Sequence, residues 1–153
     1  MPPRNNHKKI FGIILAILVI IFAVVAFKAH APTGGNTETL PPAVSGNGGD
    51  LVSFSIIPGA HVHGILSYRG TLKGSYFFEA NVRIMILDAN KNVLKSSNAV
   101  AKTDWMTEGP VDFEGNIDFT GLPAGAGYFR IANDNPSGDP IRDKFIDIPI
   151  VIE

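Results

Sequence analysis

Val111-Asp112-Phe113-Glu114-Gly115-Asn116-Ile117-Asp118-Phe119-Thr120 decides the fold of this chain. Val111, Phe113, Ile117 and Phe119 share one parity, and Asp112, Glu114, Asn116 and Asp118 share the other. At helical spacing the acids would scatter around every face; at a period of two they line one side of a strand whose other side is buried. The same alternation recurs on both sides of this stretch. Upstream, Val52, Phe54 and Ile56 oppose Ser53 and Ser55, and Leu66, Tyr68, Gly70 and Leu72 oppose Ser67, Arg69, Thr71 and Lys73. From Tyr76, the residues Phe78, Ala80, Val82, Ile84 and Ile86 are expected inward, with Phe77, Glu79, Asn81 and Arg83 turned out. Downstream, Phe129 and Ile131 mark a short strand, and Ile146, Ile148, Ile150 and Ile152 a final one. Pro149 on the opposite parity of that strand lacks an N–H and points to an edge or a bulge.

Turn residues separate these runs. Asp88-Ala89-Asn90-Lys91-Asn92 reads as a hairpin loop before Val93 and Leu94, and Gly121-Leu122-Pro123-Ala124-Gly125 as a second turn. About seven short strands then fall within residues 50–153, the pattern of an all-β, immunoglobulin-like Greek-key sandwich. A closed barrel is the alternative. No Cys is present anywhere in the chain, so disulfides, thiolate metal sites and a lipidated Cys anchor are excluded.

Before this domain the composition changes twice. Ile10 to Phe27 is an uncharged apolar run of eighteen residues, about 27 Å as a helix, which matches the hydrocarbon thickness of a bilayer. Arg4, Lys8 and Lys9 precede it. Three of the thirteen cations and none of the fourteen acids lie before residue 28, which places residues 1–9 in the cytoplasm and the remainder outside. Residues 10–27 are thus expected as a transmembrane anchor, the chain's contact with the membrane. The alternative is cleavage after Ala29-His30-Ala31 with secretion, although the apolar run is long for a signal peptide and Pro32 would follow the cut. Residues 28–49 read as a flexible linker: APTGGNTETLPPAVSGNGG, residues 31–49, is rich in Gly and Pro with almost no large apolar group.

The residues of the domain also resemble a known family. Gly70-x-x-x-Gly74, Tyr76-Phe77-Phe78-Glu79-Ala80, Asp88, Trp105-Met106-Thr107, Val111-x-Phe113 and Asn135-Pro136-Ser137-Gly138 occur in the order of the bacterial immunoglobulin-like domain associated with spore germination. The likeness spans residues 70–138 and weakens before Gly64. It implies an exported β-sandwich module of the kind joined to other surface or germination-related domains. It implies no catalytic residue, and it gives Gly70, Gly74, Phe78, Glu79, Phe113, Asn135, Pro136 and Gly138 structural roles.

Several residues are candidates for binding. Trp105, the single Trp, and Met106 interrupt a polar stretch; they either anchor a partner or cover the open edge of the core. Phe77, Met85 and Leu87 share outward parity and would form a short apolar stripe. Trp105 or Tyr128, if exposed beside polar donors, would suit a sugar. Glu79 is expected to pair with Arg69, Arg83 or Arg130. Asp88-x-Asn90-x-Asn92 has oxygens at alternate positions but lacks the Gly and terminal Glu of a calcium loop, and Asp134, Asp139 and Asp143 form a second weak oxygen-rich region. His61 and His63 have no third ligand nearby. No metal or cofactor is therefore expected. Nucleophile elbows, Walker sequences and zinc-protease motifs are missing, and the acidic balance of the exported part disfavours nucleic acid. The function expected is a surface module that binds an envelope protein or a wall polysaccharide, with an exported enzyme the least favoured reading.

Overall fold

The computed structural model of the chain describes residues 43–153. The basic tail, the expected transmembrane run and most of the expected linker lie outside the described residues. Nine strands follow in order: β1 (Ser45–Gly46), β2 (Leu51–Phe54), β3 (Ala60–Val62), β4 (Ile65–Lys73), β5 (Asn81–Asp88), β6 (Val93–Ala101), β7 (Pro110–Asp118), β8 (Gly125–Ala132) and β9 (Phe145–Ile152). Among the described residues three short 3₁₀ turns accompany them, at Gly48–Asp50, Gly74–Tyr76 and Pro140–Arg142. No helix among the described residues is long and apolar enough to cross a membrane.

The strand order is β1-β9-β8-β5-β6-β7-β4-β2, with β3 also paired to β9. The sheet curls into two layers. β2, β4 and β7 face β5, β8 and β9, with β6 beside β5 and β1 and β3 beside β9, so the chain crosses between the layers at every connection except β5–β6 and β8–β9. Aromatic contacts close the core between them, with ring centroids 5.2 Å apart for Phe54–Phe129 and 5.0 Å for Tyr68–Phe129. The layers join at one edge by only two residue pairs, Val100–Glu114 and Ala101–Phe113. The ends of the order, β1 and β2, do not pair. The barrel is therefore open, and the all-β immunoglobulin-like sandwich is the architecture.

Alternation predicted most of this correctly. Val111, Phe113, Ile117 and Phe119 are buried, as are Ile146, Ile148, Ile150 and Ile152. Pro149 sits between the β9 residues that pair with β1 and those that pair with β3, where no ladder donor is required. The two strands beyond the expected seven are β1 and β3, both short and both paired to β9. β1 brings residues 45 and 46, expected in the linker, into the domain.

Two parities are corrected. β5 begins at Asn81, so its alternation does not extend back to Tyr76. Phe78 and Asn81 exchange backbone hydrogen bonds of 3.0 and 2.9 Å around Glu79 (φ 48°) and Ala80 (φ 62°). This tight turn reverses the expectation: Phe77 is buried, its ring 6.3 Å from that of Phe113, and Phe78 is exposed. In β2 a bulge between Leu51 and Ser53 leaves Val52 outside the core, because the extra residue shifts every side chain upstream of it to the other face.

Candidate functional site

Three loops meet at one end of the sandwich: residues 74–80, 102–109 and 133–144. They contain most of the sequence blocks that carry the family resemblance. Gly74 donates its N–H to Gly109 O at 2.9 Å, and a Cβ at Gly74 would occupy the place of the Thr107 carbonyl. Only glycine permits that approach. Ala80 O accepts from Ala101 N at 2.8 Å, which ties the strained turn to the end of β6. Lys144 Nζ donates to Ser75 Oγ at 3.1 Å, joining the first loop to the third.

Each loop is also fixed internally. Asp104 Oδ1 accepts from Met106 N at 3.1 Å. Asn135 Nδ2 donates to Asp139 O and Asp143 Oδ1, both at 2.8 Å, and its Oδ1 accepts from Ser137 Oγ. Gly138 adopts φ 65°, and Asp139 Oδ1 accepts from Ile141 N at 3.1 Å. Of the weak oxygen-rich region, Asp139 and Asp143 are thus used by the turn expected at Asn135–Gly138, and Asp134 is exposed apart from it. Among the described residues no group of three or more His, Cys, Asp or Glu is placed to hold a metal. Trp105 is half-buried against the core edge, so most of its ring is spent on packing. Met106, next to it, is 77% exposed, and Ile141 on the third loop is 88% exposed. With exposed Phe78 they give each loop one apolar tip on a braced rim.

The remaining candidates lie elsewhere. Leu87 and Tyr128 are buried and Met85 half-buried, so with Phe77 inside the core the predicted outer stripe does not form. Tyr128 lies under the Lys91 ammonium, 3.1 Å from the ring centroid. That same ammonium reaches Asp147 Oδ2 at 2.6 Å, and Arg130 contacts both carboxylate oxygens at 2.6 and 2.9 Å. Burial pushes the Asp147 carboxyl up, but these cationic donors outweigh it and hold the group below its ordinary range. Arg130 is therefore engaged with Asp147 and not with Glu79, which makes no ion pair among the described residues. The calcium-like Asp88 is consumed by its hairpin, accepting from Asn90 N, Asn92 N and Asn92 Nδ2, each at 2.8 Å.

The outer face of β2, β4 and β7 is a polar ladder. Ser53 Oγ donates to Thr71 Oγ1 at 3.0 Å, Thr71 Oγ1 to Asp112 Oδ1 at 2.7 Å, and Ser67 Oγ to Asn116 Oδ1 at 2.6 Å. It carries no aromatic ring on which a sugar would stack. Gly70, on the inner side of β4, leaves space taken by Phe54 and Phe113.

A family model for the immunoglobulin-like domain of bacterial spore germination matches residues 57–139, more than half of the chain. The chain belongs to this family. Nothing among curated proteins or solved structures matches it. The match runs from the approach to β3 into the third loop of the rim, so it includes the turn around Glu79, the Trp105–Met106 loop and Asn135–Gly138. Sequence reasoning singled out Met106 and the Asn135–Gly138 turn but not their convergence, and it missed Ile141. An isolated isoleucine between Pro140 and Arg142 gives no periodic signal.

Proposed function

We propose that this family member is a non-catalytic interaction module, held outside the cytoplasmic membrane by residues 10–27, and that it binds a protein partner through the loop rim. One observation carries the reading: three loops distant in sequence are hydrogen-bonded into a single braced surface with an apolar tip on each. Pre-ordered loops lose little entropy on binding, and exposed apolar side chains on a rigid frame favour association. The left-handed conformations of Glu79 and Ala80 support the same surface, since non-glycine residues held there are strained and such strain concentrates at functional positions. The basic flank and apolar run support export of the domain.

Both parts are testable in intact cells. The chain has no Cys, so a single Ser137→Cys substitution should react with a membrane-impermeant maleimide while Asn5→Cys should not. Labelling of both, or of Asn5→Cys alone, contradicts the topology. Photocrosslinking residues placed at Met106 and Ile141 should each capture one shared protein, and the same residue at Asn116 on the polar face should not. Equal capture from all three positions removes the rim as the binding surface.

A further inference from the structure

The curled sheet stays open between β2 and the short strands β1 and β3 laid on β9, which leaves a seam between β2 and β9. It forms a groove of about 470 Å³ lined mainly by Val44, Leu51, Val52, Ile56, Ile57 and Ile148, with no charged side chain in its wall. Two of these groups stand well into solvent: Val52, thrown outward by the β2 bulge, is 64% exposed, and Ile57 is 69% exposed. An uncharged, largely apolar groove with two exposed aliphatic side chains on its lip is suited to an apolar contact.

The chain outside the described residues identifies it. Val44, a wall of the groove, stands two residues from where the spacer ends. That spacer, residues 28–42, has Leu40 as its only large apolar side chain, so it cannot fill the groove. It leads back to the apolar run Ile10–Phe27. Fifteen residues, 28–42, lie between that run and the described domain, and fifteen residues reach at most about 50 Å. A contact too weak to hold a free domain at a surface becomes populated when a short tether supplies millimolar effective concentration. Charge selects the orientation. The exported part is acidic overall, and the groove wall carries no charged side chain, so it can enter the interfacial zone without desolvating a charge.

We infer that the β2–β9 seam docks on the bilayer surface, with Val52 and Ile57 entering the interfacial zone. This rests on the anchor reading above. β6, in the middle of the strand order, then faces away from the membrane, and the loop rim stays open to a partner alongside.

The test uses the full chain in lipid nanodiscs, with Ile and Val methyl labels and a nitroxide-bearing lipid. Val52 and Ile57 methyl signals should broaden several times more than those of Ile65, Val93, Val100 and Ile141, which are comparably exposed but lie off the seam. Val52→Ser with Ile57→Ser should abolish that difference and leave the buried Ile84 and Ile131 signals in place. Uniform broadening of all exposed methyls overturns the inference. So do seam shifts that depend on protein concentration and not on the nitroxide, which would make a second copy the occupant. A chain that fails to co-elute with the nanodiscs overturns the anchor reading together with the docking.

Discussion

Asp147→Asn tests the physical account of the fold most directly. The carboxylate is 1% exposed and accepts from Arg130 Nε and Lys91 Nζ, each at 2.6 Å. Removing one member of a buried charge cluster costs about 3–5 kcal/mol, because the partners stay desolvated and unpaired. Here the Arg130 and Lys91 side chains are 21% and 38% exposed and regain some water, so about 2–4 kcal/mol is expected. For a domain of this size that corresponds to a fall in Tm of roughly 8–16 °C. Urea denaturation followed by Trp105 fluorescence measures it, since the half-buried ring reports loss of the core edge. Glu114→Gln is the control: it breaks the exposed Lys102 pair of 2.8 Å and should cost under about 1 kcal/mol. The dependence on pH follows from sign. The folded carboxyl titrates below its unfolded value, so its contribution is complete above about pH 4 and is lost as pH falls through the folded pKa. The gap between wild type and Asp147→Asn should therefore close in acid. Loss of equal size in Asp147→Asn and Glu114→Gln, or a gap that widens in acid, refutes the reasoning.

Phe77→Ala should cost about 3–4 kcal/mol for the cavity beside Phe113, and Phe78→Ala under about 1 kcal/mol; urea midpoints in the reverse order would restore unbroken alternation through Tyr76. Gly74→Ala should cost at least about 2 kcal/mol and move the Met106 methyl resonance, because its Cβ meets the Thr107 backbone. Gly109→Ala, whose nearest neighbour is the Thr107 hydroxyl at 3.3 Å, should cost less and leave that resonance nearly in place.

The difference between what was and was not legible in the sequence is a difference in range. Val111–Thr120 could be read because each inward residue has polar neighbours on both sides, and only one period satisfies that pattern. The reading failed where a local device overrode the period. At Val52 the device is a bulge, and at Phe77 it is a turn built on Glu79 and Ala80 where Asn-Gly would have announced it. Asp147 shows the other limit. Its position between Ile146 and Ile148 gives its parity correctly, yet an outward residue is not an exposed one. Lys91, fifty-six positions away, folds over it from a loop held at φ 68°, and no spacing records that closure.

The two proposed surfaces follow from the same failure of closure in different ways. At the rim, the loops are long enough to hydrogen-bond to one another, which holds Phe78, Met106 and Ile141 outward among exposed charged side chains such as Glu108, Asp134 and Arg142. At the seam, β2 and β9 come within one groove of each other without pairing, so apolar residues of both layers remain open. Simple tethering of the domain to the membrane would need neither surface. If the seam holds lipid, the rim is kept at a fixed attitude to the membrane, and a partner embedded in or lying on that membrane meets it with less orientational freedom to lose. Serine at Val52 and Ile57 should then weaken capture at Met106 and Ile141 while the rim itself is untouched. Unchanged capture would show that the two surfaces act independently.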